Sequence, residues 1–122
     1  MGKLGSTYRC NLPPRHIWVI ISNPSDHEGR FLFVNFTTRT ERCLDDACIL
    51  EPGDYPPFLT QITTVAYSRF VFGDLAGLKT LLETGQFSEM PLIPPITLQK
   101  IISGARSTPE MPKAAKSLLP HA

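Results

Sequence analysis

The chain is predicted to fold as an α+β domain, a small barrel-like antiparallel sheet with amphipathic helices in the C-terminal third. Three observations predict this. β-Branched and aromatic runs are concentrated before Gly73 and are short. The chain has 12 prolines in 122 residues, about twice average usage, and nearly all of them fall between apolar runs, as the punctuation of short elements. From Asp74 onward the apolar residues recur at helical spacing instead.

Taken in order, residues 6–10 make a short first strand, and Asn11-Leu12-Pro13-Pro14 turns the chain into a second strand over 15–22. The cluster from Ser22 to Gly29 is dense in turn formers and leads into a strand over 30–38. Ile17–Ile21 and Phe31–Val34 are apolar at consecutive positions, so both faces of this hairpin require cover. A barrel interior can cover one face, and a helix or a second subunit the other. Residues 40–46 are a charged connection, and 47–50 a short strand ended by the turn Glu51-Pro52-Gly53-Asp54. Tyr55-Pro56-Pro57-Phe58 reads as an extended loop with aromatic anchors, and 61–72 as one long or two short strands. Asp74 is an N-cap for a helix over 75–84 with Leu75, Leu78, Leu81 and Leu82 on one face and Gly85 at its end. Pro91 to Pro95 form a rigid connector. Thr97 caps a second helix carrying Leu98, Ile101, Ile102 and Ala105, in which Gly104 costs about 1 kcal/mol relative to alanine. Residues 108–120 add a short helix with Ala114, Ala115, Leu118 and Leu119. The expected organisation is one domain over 1–122, with a barrel region at 6–72 and a helical region at 74–119.

Net charge is +1, which excludes the strong general cationic field of a bulk nucleic-acid binder. A nucleic-acid ligand would need a local cluster, and Arg9, Arg15, Arg30, Arg39 and Arg42 can supply one. Six of the seven arginines lie within the first 69 residues, making that half the anion-facing one, since a guanidinium offers phosphate a planar fork of donors. No apolar signal region opens the sequence and no run approaches a membrane span. Three cysteines then read as free thiols in a reducing compartment, and a cytoplasmic location without membrane contact is expected. Cys10, Cys43, Cys48 and His27 lack zinc-site spacing, and there is no phosphate loop, carboxylate array or nucleophile elbow. No cofactor or metal is expected.

The polar residues of the central hairpin sit at its ends, with Arg15 and His16 on one strand and Thr37, Thr38 and Arg39 on the other. Each has a plain alternative: a solvated arginine, a hydrogen-bonding histidine, threonines placed by strand propensity. Arg69 is a further candidate for the same groove, or a strand-pairing surface residue.

Arg15-His16-Ile17-Trp18-Val19-Ile20-Ile21 and Val34-Asn35-Phe36-Thr37-Thr38-Arg39 resemble two motifs of the PemK/MazF family of toxin–antitoxin ribonucleases. In that family a basic residue directly precedes a hydrophobic strand, and the next strand ends in an apolar-Thr-Ser/Thr pattern. A later strand ending near an arginine is matched loosely by residues 61–69, and the terminal helices fit as well. The resemblance implies a small SH3-like barrel, usually homodimeric, that cleaves single-stranded RNA without metal through attack of a ribose 2′-hydroxyl. It implies a cognate antitoxin as partner. Carried across residue by residue, Arg15 and Thr37 act on the scissile phosphate, with Thr38 as a one-residue alternative. Arg39 and Arg69 are the candidates for substrate binding. His16 stands where the family usually has proline and offers acid–base chemistry. The connection Asn11–Pro14 is also shorter than the family's substrate-binding loop. A non-catalytic barrel that binds a protein partner is the competing reading.

Overall fold

The computed structural model describes residues 2–39 and 45–120. Six strands, β1 (Thr7–Cys10), β2 (Ile17–Ile20), β3 (Arg30–Thr38), β4 (Ile49–Leu50), β5 (Thr63–Asp74) and β6 (Phe87–Met90), are joined by α1 (Leu75–Glu83), α2 (Pro95–Ser107) and α3 (Lys113–Lys116). They form one curled antiparallel sheet in the order β4-β5-β3-β2-β1-β6. The α+β architecture expected from the sequence is therefore present, as a half-barrel with helices on both of its faces.

The consecutive apolar residues of β3 explain this layering. Leu32, Val34 and Phe36 point to the concave side and pack with Val19, Val65 and Tyr67 against Ile101, Ile102 and Ala105 of α2 and Ala115 of α3. Phe31 and Phe33 point the other way, joining Tyr8, Ile20 and Leu78 in a second cluster beneath α1. Burying each such side chain contributes about 1.5–3 kcal/mol. The outer face of the hairpin is thus covered at this end by a helix of the same chain. Asp74 caps α1, its Oδ1 accepting from the Gly77 N–H at 2.6 Å, and Gly85 takes the left-handed φ of +76° that lets the chain leave the helix.

Two expectations need correction. Residues 87–90 lie in the segment assigned to helices, yet they form β6 and pair with β1 in the register Thr7↔Met90 to Cys10↔Phe87. Phe87-Ser88-Glu89-Met90 has too few apolar positions to announce a strand, and the pairing partner comes from the far end of the sequence. Thr97 does not cap α2. The helix starts at Pro95, where a missing N–H is tolerated, and the Thr97 hydroxyl donates to the Asp54 carbonyl at 2.6 Å.

That contact ties α2 to the 3-10 turn Pro52–Asp54, which Asp54 reinforces by accepting from the Glu51 N–H at 2.8 Å and from Lys100 Nζ at 3.0 Å. Partial burial pushes the Asp54 carboxyl up, but the Glu51 amide and the Lys100 ammonium outweigh it and hold the group below its usual range. A lowered folded-state value stabilises the fold above the unfolded carboxylate's range, and the contribution is lost as pH falls through the folded value. Asp54→Asn is therefore expected to lower Tm at neutral pH, with the gap to wild type closing below about pH 4. Thermal melts of both proteins across pH 3–7, read by circular dichroism, check this.

Candidate functional site

The β2–β3 register runs Trp18↔Asn35, Val19↔Val34, Ile20↔Phe33. Continued past the end of β2, it sets His16 opposite Thr37. The residues before Ile17 leave the ladder because the His16 N–H turns back to the Pro14 carbonyl at 2.8 Å, while the His16 carbonyl still accepts from Cys10 at 3.0 Å. Arg15 is consequently exposed, at the rim and outside the sheet plane.

Arg15, His16, Thr37 and Thr38 line one open groove of about 360 Å³. The opposite wall is Phe58, Leu59, Thr60 and Gln61. Thr37 is half-buried and pairs with Thr64 of β5, while Thr38 at the strand end pairs with Thr63 and is exposed. Strand alternation turns these two hydroxyl-bearing side chains to opposite faces of β3. Both reach the groove because it lies across the end of the strand.

The far wall was not legible as part of a site. It descends from the Pro-rich segment: Tyr55 and Leu59 are buried in the core, the Tyr55 hydroxyl donates to the Pro91 carbonyl, and the Phe58 ring packs 5.0 Å from that of Tyr55. The only sequence signal was a pair of aromatic anchors, with nothing to fix which way the loop folds.

Arg39 and Arg69 do not line this groove. Arg39 follows β3, exposed, with its backbone N–H bonded to the Ile62 carbonyl at 3.0 Å. Arg69 lies in a bulge of β5, since Asn35 pairs with Ala66 but Phe33 with Val71, so that residues 67–70 face a single residue of β3. The bulge is held at Ser68, whose N–H and hydroxyl both donate to Asp45 Oδ2, at 2.9 and 3.0 Å. Arg42 and Cys43 lie outside the described residues. Among the described residues no group of three or more His, Cys, Asp or Glu side chains is disposed to hold a metal. No helix among them is long and apolar enough to cross a membrane.

The electrostatics of the groove are simple. Among the described residues, neither Arg15 nor Arg9, which lies nearby on β1, makes an ion pair or a side-chain hydrogen bond. Their donors are therefore open to an anionic ligand. Uncommitted guanidiniums beside hydroxyls, over a floor formed by Ile17 and Phe36, suit an extended phosphodiester.

Sheet order and rim groove together define a class: a curled six-stranded half-barrel that presents an arginine and two threonines across the ends of its central hairpin. Comparison with solved structures narrows the fold further. The chain matches an endoribonuclease in complex with its cognate antitoxin from a mycobacterial species, with TM-score 0.54 and 18% identity over 90% of this chain and 96% of that one. It also matches a MazE–MazF complex from Deinococcus radiodurans, with TM-score 0.54 and 13% identity over 86% of this chain and 91% of that one. The chain has the PemK/MazF-type toxin fold. No protein-family model and no curated protein matches the sequence.

Proposed function

We propose that the chain is a MazF-type toxin, an endoribonuclease that cleaves single-stranded RNA without a metal and is restrained by a cognate antitoxin. The observation that carries this reading is the meeting of Arg15 and Thr37 on one groove, with His16 and Thr38 beside them. In the reaction the ribose O2′ bonds to the adjacent phosphorus and the P–O5′ bond breaks, the departing O5′ taking a proton from solvent water, which leaves a 2′,3′-cyclic phosphate and a free 5′-hydroxyl. Negative charge builds on the non-bridging oxygens as the O2′ proton leaves. The Arg15 guanidinium neutralises that charge with paired donors, and the Thr37 hydroxyl donates one more. His16 accepts the O2′ proton, and Thr38 holds the neighbouring phosphate or substitutes for Thr37. The antitoxin, the homodimer and the cytoplasmic setting belong to the same reading, supported by the fold and by a neighbour seen with its antitoxin.

The test is incubation of the purified protein with a defined single-stranded RNA, with and without a chelator. Discrete fragments ending in cyclic phosphate are expected in both samples. Intact RNA in both, together with tight binding of a protein partner, would leave the interaction-module reading in its place. Size-exclusion chromatography of the same preparation reads the oligomeric state.

A further inference from the structure

Beyond Arg15 the groove continues into a second hollow of about 600 Å³, lined by Arg9, Asn11, Arg15, Ile17 and Phe58. Three of these residues, Arg15, Ile17 and Phe58, also line the first groove. Arg9 pairs directly with Ile17 across β1 and β2, so its side chain rises on the same side of the sheet as the floor of both hollows. Asn11 fixes the adjoining edge, its Nδ2 donating to the Gly85 carbonyl at 2.9 Å and to Ser88 Oγ at 2.7 Å. Phe58 is half-buried between the hollows and packed on Tyr55. Burial pushes the Tyr55 hydroxyl up, against a Thr7 hydrogen bond and the positive charge of Arg9.

We infer that Arg9 and Phe58 form a second nucleotide subsite, on the far side of Arg15 from Thr37, in which Arg9 binds the phosphate next to the scissile one and Phe58 stacks a base. The inference rests on the nuclease reading for the identity of the scissile position. A nucleic acid is favoured over an acidic protein segment because the hollow pairs cations with an aromatic face, the combination that tracks a single strand. It also continues a groove already suited to a phosphodiester.

Binding of non-cleavable 2′-deoxy oligonucleotides to the full chain tests this apart from catalysis. Arg9→Gln is expected to weaken a hexanucleotide about tenfold and to reduce the slope of log K against log salt by about 0.7, one phosphate's share on a single strand. A dinucleotide with one phosphodiester, followed by chemical-shift titration, should bind Arg9→Gln as it binds wild type. Phe58→Leu keeps an apolar side chain at this place but removes the ring, and should weaken both ligands about 5- to 150-fold, the worth of one stacked base. An unchanged salt slope in Arg9→Gln, or equal losses for the two oligonucleotides, overturns the subsite. So does an Arg9→Gln protein that loses hexaglutamate while keeping the hexanucleotide. Cleavage with none of the expected Arg9 and Phe58 effects removes the subsite alone. Arg9-dependent binding without cleavage keeps the subsite and removes the nuclease reading.

Discussion

Replacing Arg15 by alanine is expected to lower the rate of RNA cleavage by about 10²–10³-fold, the loss typical when one preorganised donor to a developing oxyanion is removed. The side chain is exposed and has no partner among the described residues, so the fold should be untouched and the melting curve should overlay that of wild type. Arg15→Lys keeps the charge but loses the planar fork, and should recover only part of the rate. Thr37→Val removes a hydroxyl while keeping the strand-compatible shape, and should slow cleavage about 10- to 100-fold, the range for a hydrogen bond to a charged group. Single-turnover rates on one RNA separate these losses from binding. Equal rates for Arg15→Ala and wild type would remove Arg15 from the chemistry.

The second large effect concerns Gly104, where helix propensity and packing point in opposite directions. On propensity alone, Gly104→Ala should stabilise α2 by about 1 kcal/mol. In the fold, however, a Cβ there would overlap the Tyr67 hydroxyl oxygen and come within 2.9 Å of Cys48 Cβ and 3.1 Å of Tyr67 Cζ. Tyr67 is fully buried and its hydroxyl donates to the Ile101 carbonyl at 2.6 Å. Burial holds that hydroxyl in its protonated, donating form. Neither neighbour is a free side-chain end that swings aside. Overpacking of this kind costs about 1–3 kcal/mol, so the substitution should be net destabilising, with a fall of several degrees in Tm. Tyr67→Phe removes the nearest obstructing atom, so the double variant should be more stable than the sum of the two single losses implies. Urea titrations of the four proteins measure the coupling; simple additivity would show that α2 does not pack this closely.

Much of the architecture was legible because local chemistry and the fold agree. Asp74, Leu78 and Gly85 announce the start, the buried face and the end of α1, and the consecutive apolar run from Phe31 to Val34 announces a strand covered on both sides. The hairpin ends were legible as a place where Arg15, His16, Thr37 and Thr38 emerge, because polar residues at the edges of apolar runs must face solvent. What was not legible depends on partners distant in sequence. β6 is a strand only because β1 pairs with it, Thr97 is drawn from capping by the Asp54 carbonyl, and the wall from Phe58 to Gln61 takes its direction from Tyr55 anchored at Pro91. The bulge in β5 carries Arg69 away from the groove, and no spacing rule reveals an insertion of this kind.

The pairing of β1 with β6 also bears on how the molecule is made. During synthesis the first strand leaves the ribosome long before its outer neighbour exists, and Thr7 must wait for Met90. Contacts between such distant residues slow folding, because a large loop must close before they form. Until then the nascent chain carries an open strand edge beside the hairpin that holds Arg15 and Thr37. A polypeptide released before Phe87 lacks the strand that pairs with the outer edge of β1, so this side of the sheet is completed only after Met90 has been made.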